Sequence, residues 1–561
     1  MREELAALVG AAVQQVARER GLDWNPDPAT LIEACRDERF GDFTANAAME
    51  LASRAGAAAG GKKVPPRELG QAILAALPPS GDLIEKAEIA GPGFINFTLK
   101  RERWLAALGA IAAQGPAFGR SQLGRGQRVQ VEFVSANPTG PLHLGHGRGA
   151  AVGDILCRIL EATGHAVSRE FYINDAGRQV ETLARSVLAR CREQLGAEPR
   201  FPEDGYKGEY VRDLAREAVA RHGASLLALP DEQAPALLGE AAMATILGWI
   251  RRDLEAFGVR FDAWFSERSL YRPGVWEALV AELRGRDLFF EQEGALWFRS
   301  TAFGDDKDRV VVKNDGSRTY LASDILYHAD KFRRGFERVI DIWGADHHGY
   351  IPRMQAVVQA LGHPADALAV RLIQLVTLTR GGKAVAMGKR EGEFTTLAEV
   401  VAEVGADAAR FFFVTRRCES QLEFDLELAK AKTADNPVFY VQYAHARIAS
   451  IFRTQAERGD AGLGDAGADL RRLALPEEIS LIKRAASFPD VLAACARGLE
   501  PHPLAQYLVG LAAAFHGYYN RVRVVSDDTE VSRARLALVR GVGIVLRNGL
   551  DLMGVSAPDQ M

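Results

Sequence analysis

The sequence predicts an α/β protein built on a Rossmann-type, doubly wound parallel sheet, with a helical insertion, an N-terminal α+β domain and a C-terminal all-α bundle. From Val129 onward, strand, tight-turn and helix patterns alternate, which is typical of a parallel sheet. Residues from about 174 to 257 are almost wholly helical in pattern, and so is the chain from about Leu397 to its end. A chain of 561 residues is too long for one hydrophobic core. We therefore expect three domains, at residues 1–115, 116–395 and 396–561.

The composition is that of a globular protein. Apolar residues make up 48% of the chain and charged residues 25%, which matches average globular usage and excludes a disordered or fibrous chain. No stretch of about eighteen uncharged apolar residues occurs, so we expect no membrane span. The cysteines are scattered without a CxxC pair, which indicates neither a zinc site nor a disulfide framework. A reducing cytoplasm is the compartment that fits best.

The net charge of −4 gives no global sign of nucleic-acid binding. Any contact with RNA must therefore use local basic patches, for which a solvated surface face is the alternative interpretation. The candidate patches are Lys331, Arg333, Arg334 and Arg338, and the segment Arg521–Arg523.

The first domain mixes helical patterns with short extended runs. Its opening segment is amphipathic and interrupted by charges, which favours a helix over a signal peptide. Turn signals occur in Arg39–Phe43, and Gly91–Phe97 is a strand-like run. The Gly- and Arg-rich stretch from Phe118 to Gly126 separates this domain from the next.

The second domain begins with a strand from Val129 to Phe133. Pro141 then precedes a helix that stops at Thr163-Gly164, and the next strand runs from Val167 to Tyr172. Further strands are expected to complete the second half of the parallel sheet, at residues 310–312, 339–343 and 372–378.

The strongest motif is the run VEFVSANPTGPLHLGH, from Val131 to His146, between a strand and the N-terminus of a helix. Open α/β sheets bind ligands at this place, and the helix dipole favours anions there. Gly145 lets a nucleotide approach the backbone, and His143 and His146 can donate hydrogen bonds to phosphate oxygens. The alternatives are that the histidines cap the helix or bind a metal, but no third metal ligand is evident nearby. We interpret the motif as a nucleotide site and expect no metal site.

HLGH resembles the HIGH signature of the class I aminoacyl-tRNA synthetases, and VEFVSANPTGPLHLGHGRGA is similar to the arginyl branch of that family. The resemblance implies an arginine–tRNA ligase of protein synthesis whose substrates are arginine, ATP with Mg2+, and tRNA(Arg). It implies two steps, formation of arginyl-adenylate and transfer of the arginyl group to the 3′ end of the tRNA. We expect a monomer. Further similar runs follow in order along nearly the whole chain: YINDAG from Tyr172, YKGEY from Tyr206, TYLASD from Thr319, WGADHHGY from Trp343 and DNPVFYVQYAHAR from Asp435.

The second class I signature, KMSKS, is only partly present, as the run Ala386-Met387-Gly388-Lys389-Arg390. By the resemblance, Met387 contacts ATP and Lys389 neutralises the triphosphate. Lys383 and Arg390 are possible substitutes for that lysine, and a charged hairpin around Lys383 is the alternative interpretation.

Recognition of arginine requires carboxylates, because a guanidinium is always charged and presents a planar fork of donors that a carboxylate accepts two at a time. By the resemblance, Glu132 and Asp324 take the guanidinium, with Tyr320 beside Asp324 at helical spacing. Ser135 and Asn137, just beyond the strand end, would hold the α-amino and α-carboxylate groups. The alternative is that Asp324 is a surface acid and Tyr320 a packing residue.

Asp346 follows the predicted strand at 339–343, where its carboxylate could accept hydrogen bonds from a ribose. Gly344 would allow close approach of the nucleotide, and we include His347 among the ATP-binding residues. His347 and His348 are adjacent and expected to point apart, so a shared metal is not expected.

The C-terminal bundle would bind the anticodon through exposed aromatic and basic side chains, because unpaired bases are recognised by stacking and edge contacts. The alternative is that most of these aromatic residues belong to the core. The N-terminal domain is similar to the additional domain of the family that contacts the tRNA elbow. The anticodon candidates are Tyr440, Tyr443 and Arg447, with Tyr518, Tyr519 and Arg523 further along the chain.

Two other functions remain open from the sequence. Another class I synthetase, such as the cysteinyl one, is disfavoured by the absence of zinc-ligand cysteines and by the pair Glu132 and Asp324. A synthetase-like RNA-binding or regulatory protein without catalysis is suggested by the altered loop at Gly388. Editing is not expected, since a site that pairs a guanidinium can reject substrates lacking it by about 10⁴ or more.

Overall fold

The computed structural model describes residues 1–35, 37–58, 64–175, 178–385, 395–457 and 467–561. These fall into two compact units, of which one contains residues 1–118, 451–490 and 513–545. The other contains residues 119–450, 491–512 and 546–561. Residues of the predicted third domain occur in both units, and our three domain boundaries stay predictions.

The helices and strands are as follows, in chain order. The helices are α1 (Arg2–Glu19), α2 (Pro28–Leu31), α3 (Ala47–Ala58), α4 (Pro66–Ala75), α5 (Arg101–Gln114), α6 (Leu144–Ala162), α7 (Arg178–Gln194), α8 (Glu209–His222), α9 (Glu240–Ala256), α10 (Val275–Gly285), α11 (Tyr320–Arg333), α12 (Ile351–Ala360), α13 (Leu397–Val404), α14 (Ala406–Phe413), α15 (Leu426–Lys430), α16 (Pro437–Glu457), α17 (Pro476–Ala486), α18 (Phe488–Gly498), α19 (His502–Arg521) and α20 (Thr529–Met553). The strands are β1 (Ile32–Ala34), β2 (Phe43–Ala45), β3 (Ile84–Ala90), β4 (Phe94–Leu99), β5 (Arg128–Glu132), β6 (Ala166–Ile173), β7 (Ala263–Ser266), β8 (Phe289–Gln292), β9 (Ala295–Phe298), β10 (Arg309–Val312), β11 (Arg338–Gly344), β12 (Leu368–Ile373), β13 (Val376–Arg380), β14 (Lys383–Ala384) and β15 (Leu422–Asp425).

The smaller unit is built on a four-stranded antiparallel sheet in the order β1-β2-β4-β3. Helix α1 turns a continuous apolar face inward, with Leu5, Val9 and Val13 fully buried. Helix α17 packs against α5 in the same unit, and its Lys483 Nζ lies 2.5 Å from a carboxylate oxygen of Asp42. The predicted α+β character of the N-terminal region is therefore confirmed.

The larger unit is built on a five-stranded parallel sheet in the order β12-β11-β5-β6-β7. Along β5, side chains alternate between two faces, so Val129 and Val131 share one face and Gln130 and Glu132 the other. Chain order runs outward in both directions from β5, which makes the gap between β5 and β11 the topological switch point where such sheets bind ligands. The predicted doubly wound sheet is confirmed.

The segment between β6 and β7 is helical, as predicted. It contains α7, α8 and α9, with short 3₁₀ turns and one π-helical turn at Pro235–Gly239 between α8 and α9. Because β6 and β7 are parallel neighbours, this segment serves as an enlarged crossover. Among the described helices, none is long and apolar enough to cross a membrane.

Two strand predictions and one helix prediction were wrong in detail. Strand β10, predicted in the parallel sheet, pairs antiparallel with β9 in a separate sheet of three strands, β10-β9-β8. The run at 372–378 divides into β12, which belongs to the parallel sheet, and β13, which leaves it. Strand β15, which pairs with β13, lies in the region predicted to be wholly helical. Short apolar runs reveal neither their partner nor a break within them, because periodicity records only which face is buried.

Arg410 of α14 joins three distant segments of the larger unit. Its side chain is 1% exposed and donates hydrogen bonds to the carboxylate of Asp154, the carbonyl of Met553 at 2.9 Å and the carbonyl of Phe257 at 3.1 Å. A guanidinium suits this position because its rigid fork of donors can reach several acceptors at once. The end of α20 is thereby fixed to α6 and to the end of α9.

We predict that Arg410→Met lowers the free energy of unfolding of this unit by about 3–5 kcal/mol, because it leaves a buried carboxylate and two carbonyls without their donor. Urea unfolding followed by circular dichroism measures the change. The exposed Arg416 provides the control, and Arg416→Met should leave the midpoint within experimental error of wild type. Equal midpoints for the two variants would contradict the role of Arg410.

Candidate active site

The loop after β5 is strained. Val134 and Ser135 have φ angles of 69° and 38°, in the left-handed region that a β-branched residue such as valine rarely adopts. Backbone strain of this kind costs about 1–3 kcal/mol per residue and persists where the surroundings enforce it, commonly at functional sites. Here Ser135 Oγ donates to Glu132 Oε1 at 2.9 Å and accepts from the backbone NH of Tyr172 at 3.1 Å. The strained turn therefore brings the serine hydroxyl back onto the carboxylate at the strand end.

Glu132 lies at the carboxyl end of β5 and is buried. Its Oε2 accepts a hydrogen bond from Lys331 Nζ at 2.7 Å, and Lys331 Nζ also donates to Asp341 Oδ1 at 2.8 Å. Burial raises the pKa of the Glu132 carboxyl, the Lys331 ammonium lowers it, and the nearby Asp341 raises it again, with a net increase. The predicted arginine ligand is therefore a desolvated carboxylate held between a serine and an ammonium group.

Asp324 lies one turn into α11. Its Oδ2 accepts a hydrogen bond from the hydroxyl of Tyr350, and burial raises the pKa of its carboxyl. Tyr320, the first residue of the same helix, is 86% exposed. Asp324 is thus enclosed and hydrogen-bonded rather than a plain surface acid, whereas Tyr320 extends into solvent.

A third carboxylate, which the sequence interpretation missed, lies beside these two. Glu267 directly follows β7 and is buried, and burial raises the pKa of its carboxyl. Tyr271 donates its hydroxyl hydrogen bond to Glu267 Oε1 at 3.2 Å and lies 2.5 Å from Ser323 Oγ. The signal that could have found Glu267 is its position, since ligands of parallel sheets come from residues just beyond the strand ends.

The three carboxylates meet around one tyrosine. Burial, followed by the negative charges of Glu267, Asp324 and Glu132, raises the pKa of the Tyr172 hydroxyl. Tyr172 stands on β6 between β5 and β7, and its ring packs against Tyr327 of α11 at 4.7 Å between centroids. Several buried acids close to one another create a negative potential that favours a cationic ligand.

The two histidines of HLGH form a stacked pair at the N-terminus of α6. Their ring centroids are 3.7 Å apart, and the Nδ1 atoms accept backbone hydrogen bonds: His143 Nδ1 from Gly145 N at 3.1 Å, and His146 Nδ1 from His143 N at 3.2 Å. A neutral imidazole that accepts at Nδ1 carries its proton on Nε2. Burial lowers the pKa of both rings, that of His146 to about 3, so both are neutral at neutral pH. The pair therefore presents neutral N–H donors beside the positive end of a helix dipole.

Gly145 has a local packing role in addition to the one predicted. A Cβ at this position would lie 3.0 Å from His143 Cε1, so the glycine leaves room for the imidazole that caps the helix. The histidines therefore cap the helix, as the alternative interpretation predicted. Capping fixes the orientation of the imidazole rings and does not exclude a ligand.

The structure describes the residues before and after the second signature, and those after it contact the HLGH turn. Met387, Lys389 and Arg390 lie outside the described residues, whereas Lys383 is exposed on β14, just before them. On the other side of the signature run, Leu397 N donates to the carbonyl of Leu142 at 2.8 Å, and Thr396 forms a β-bridge with His143. The residues that contact the HLGH turn therefore come shortly after the second signature in sequence.

Arg148, also missed from the sequence, supports the same junction. Its guanidinium is fully buried and donates to the carbonyls of Gln374, Ser420 and Arg417, each at 2.8 Å. These carbonyls precede β13 and β15, which form one sheet with β14, the strand that comes shortly before the second signature in sequence. The GRG that follows HLGH in the sequence is its only visible signal.

The predicted ATP residues at the end of β11 are solvent-exposed. Asp346 Oδ2 lies 3.6 Å from His347 Nε2, and both side chains are more than half exposed. A Cβ on Gly344 would lie 2.5 Å from Asp346 Oδ1, so the glycine makes room for that carboxylate. Asn137 is likewise exposed, in the loop after β5.

Tyr210, the last residue of the run YKGEY, contacts the loop after β5. The hydroxyl of Tyr210 donates to the carbonyl of Thr139 at 2.8 Å, and a Cβ on Gly140 would lie 3.2 Å from the Tyr210 ring. Helix α8 of the helical segment therefore contacts the chain just before HLGH.

The predicted anticodon residues form part of a stacked array on α16. Phe439 and Tyr443 stack with centroids 5.8 Å apart, and Arg447 lies over the Tyr443 ring at 4.6 Å. Tyr443 is exposed, Tyr440 is half-buried, and Phe439 was missed although it occupies the same helix face one turn earlier.

Two groups of predicted RNA contacts need correction. Tyr518 is buried, because its ring belongs to the core and its hydroxyl faces Glu478 at 3.5 Å. Lys331 is fully buried and Arg334 is paired with Glu170, so these residues do not form a surface patch. Both errors have one cause: a polar group at a helix position looks exposed in sequence when its buried partner comes from another element, here α17 for Tyr518 and the strands β5 and β6 for Lys331 and Arg334.

Comparisons with known proteins agree along the whole chain. Three family models match it: "Arginyl tRNA synthetase N terminal domain" at residues 3–99, "tRNA synthetases class I (R), catalytic domain" at 109–434, and "DALR anticodon binding domain" at 441–561. An arginine–tRNA ligase of Desulfosudis oleivorans is 52% identical over 563 residues, and one of Geobacter sp. strain M21 is 50% identical over 562 residues, with 100% of each chain covered in both cases.

Solved structures give the same result. An arginyl t-RNA synthetase structure from Campylobacter jejuni matches with a TM-score of 0.76 at 36% identity, covering 82% of this chain and 100% of its own. The Thermus thermophilus arginyl-tRNA synthetase matches in fold, with a TM-score of 0.75 at 23% identity over 99% of this chain and 100% of its own. The chain therefore belongs to the arginine–tRNA ligase family of class I aminoacyl-tRNA synthetases.

Proposed function

We propose that this protein activates arginine with Mg·ATP and transfers the arginyl group to the 3′ end of tRNA(Arg). The observation that supports this most directly is a cluster of three carboxylates, the buried Glu132 and Glu267 and the half-buried Asp324, on the same sheet edge as a pair of neutral imidazole donors. A cation site and an anion site side by side suit a substrate with a guanidinium and a partner with a triphosphate. Translation takes place in the cytoplasm, where we place the reaction.

Glu132 and Asp324 are proposed to bind the guanidinium. A carboxylate can accept two parallel N–H bonds from this group, which fixes both the position and the plane of the substrate. Ser135 is already engaged with Glu132, so its proposed contribution is to orient that carboxylate as well as to face the amino acid backbone. Asn137 in the loop and the exposed Tyr320 at the start of α11 are proposed to border the pocket.

His143 and His146 are proposed to donate from Nε2 to phosphate oxygens of ATP. Neutral donors that are already positioned stabilise charge as it develops, without reorganisation during the reaction. The exposed carboxylate of Asp346 is proposed to accept from the ribose, with Gly344 and His347 beside it. Lys389 and Met387 remain proposed contacts of the triphosphate and the nucleotide, and Mg2+ enters with ATP as part of the substrate.

The proposed chemistry requires positioning rather than a protein nucleophile. In the first step, an arginine carboxylate oxygen bonds to the α-phosphorus while the bond to pyrophosphate breaks. In the second, a terminal ribose hydroxyl attacks the arginyl carbonyl carbon, and AMP leaves with the bonding electrons. The imidazole donors and the loop at Lys389 would offset charge on the phosphates in the first step.

The array Phe439, Tyr443 and Arg447 is proposed to stack with unpaired anticodon bases, with Tyr440 at its side. Aromatic rings and guanidinium planes accept any base face, and specificity then comes from edge contacts. The N-terminal domain is proposed to contact the tRNA elbow, and our expectation of a monomer stays a prediction.

We predict that Asp324→Asn raises the arginine KM by about 30-fold to 5 × 10³-fold, because loss of one charged partner of a desolvated ion pair costs about 2–5 kcal/mol. ATP–pyrophosphate exchange with tRNA present measures it. Asp366→Asn is the control, since that exposed acid precedes β12 at the opposite edge of the sheet. If lysine or cysteine were activated in preference to arginine, the proposed substrate would be wrong.

We predict that His146→Ala lowers kcat of adenylate formation by about 10²–10³, the usual effect of removing one positioned donor. Single-turnover measurement of pyrophosphate release reports this step. His222→Ala, at the end of α8, should retain wild-type kcat. A protein that charges no tRNA even as wild type would instead support the regulatory interpretation.

We predict that Tyr443→Ala raises the tRNA KM by about tenfold to a hundredfold, because each base–aromatic stack contributes about 1–3 kcal/mol. The arginine KM in pyrophosphate exchange at saturating tRNA should stay unchanged. Tyr443→Phe keeps the ring that stacks on Phe439 and is expected to charge nearly as wild type. Equal tRNA KM values for the two variants would exclude stacking at this position.

A further inference from the structure

Lys331 is a buried cation directly behind the proposed arginine pocket. Its side chain is 0% exposed and stands two turns after Asp324 on α11. The ammonium donates to Glu132 at 2.7 Å and to Asp341 at 2.8 Å, and it lies 4.2 Å from the centre of the Tyr327 ring. Two carboxylates and an aromatic face therefore stabilise the buried charge.

These contacts belong to a row of acids across the sheet. Asp341, Glu132 and Glu170 are register partners on the neighbouring strands β11, β5 and β6. Like charges placed side by side destabilise a sheet, so each needs a partner. Arg334 and Tyr327 donate hydrogen bonds to Glu170, and Lys331 donates to both Asp341 and Glu132.

Glu132 differs from the other two acids in position and in partners. It is the last residue of β5, next to the strained loop, whereas Glu170 and Asp341 lie within their strands. Asp341 also receives His328 Nε2 at 3.0 Å, and Glu170 is bound by Arg334 through both of its oxygens. The basic side chain that contacts Glu132 is that of Lys331.

We propose that Lys331 is a positioning residue that keeps Glu132 ionised and oriented for the arginine guanidinium. This inference rests on the proposed role of Glu132. Asp324, Glu132 and Asp341 carry three negative charges against the one ammonium, so the pocket keeps a negative excess that the substrate guanidinium offsets.

The electrostatic surroundings set the direction of the effect. Burial and Asp341 raise the pKa of Glu132, while the Lys331 ammonium and the Ser135 hydroxyl lower it. Without the ammonium, the Glu132 pKa would rise further, and arginine binding would fail at a higher pH. The titratable and charged groups around this site are Asp324, Tyr327 and His328 on α11, Arg334 directly after it, Glu170 and Tyr172 on β6, Asp341 on β11, and Glu267 after β7.

The test is the pH profile of the arginine KM, measured by pyrophosphate exchange with tRNA present. In Lys331→Met the KM should rise by about tenfold per pH unit below the raised Glu132 pKa, beginning at higher pH than in wild type. At saturating arginine and high pH, kcat should stay close to wild type. Lys331→Arg restores a cation and should restore the wild-type profile.

Asp341→Asn gives the opposite sign with an isosteric change, and it keeps the test valid if Lys331→Met does not fold. Removing that negative charge lowers the Glu132 pKa, so the rise in KM should move to lower pH. Arg334→Met is the matched control, because it removes the cation from Glu170 in the same row and should leave the arginine profile in place.

The variant Glu132→Gln distinguishes the proposed role of Glu132 from the inference about Lys331. It should raise the arginine KM at every pH and abolish the shift between the Lys331 variants. If Glu132→Gln left the KM unchanged, the proposed role of Glu132 would be wrong. If it raised the KM while Lys331→Met and Asp341→Asn kept the wild-type pH profile, the inference about Lys331 alone would be overturned.

Discussion

The structure of the larger unit depends on three acids in register, Asp341, Glu132 and Glu170, on adjacent parallel strands. Such a row is tolerable only if the helix above it presents complementary groups. Helix α11 does so with Tyr327, His328 and Lys331, and Arg334 directly follows it. The same helix carries Asp324 two turns before Lys331. The helix that neutralises the acids of the sheet therefore also carries the second carboxylate of the proposed arginine pocket.

Glycines of α6, which packs on the opposite face of the sheet, set the position of the proposed phosphate site. A Cβ on Gly153 would lie 2.3 Å from the Phe133 ring, and one on Gly147 would lie 2.6 Å from Leu397. Helix α6 can therefore approach both the end of β5 and the start of α13. Phe133, against which α6 packs closely, is also the residue at which the strained loop begins. The packing of α6 and the turn that orients Glu132 therefore depend on the same residue.

Much of this arrangement was predictable from sequence, and the failures have one physical origin. The strand–turn–helix order, the HLGH turn and the acid at the end of β5 are local patterns, readable without partners. The burial of Lys331 is not local, because its partner Glu132 is 199 residues away. Arg148 and the strand β15 were missed for the same reason, since each is defined by what it contacts in a distant segment.

The charges on the two faces of the sheet explain how two substrates could be oriented at one edge. On the α11 face the acids exceed the ammonium that pairs with them, and the excess favours a cation. On the α6 face, Arg148 is permanently charged and hydrogen-bonds carbonyl oxygens instead of a carboxylate. That positive charge adds to the helix dipole behind His143 and His146 and favours an anion. A guanidinium and a triphosphate exchanged between the two faces would each meet the wrong sign, so these charges support the proposed placement of the two substrates.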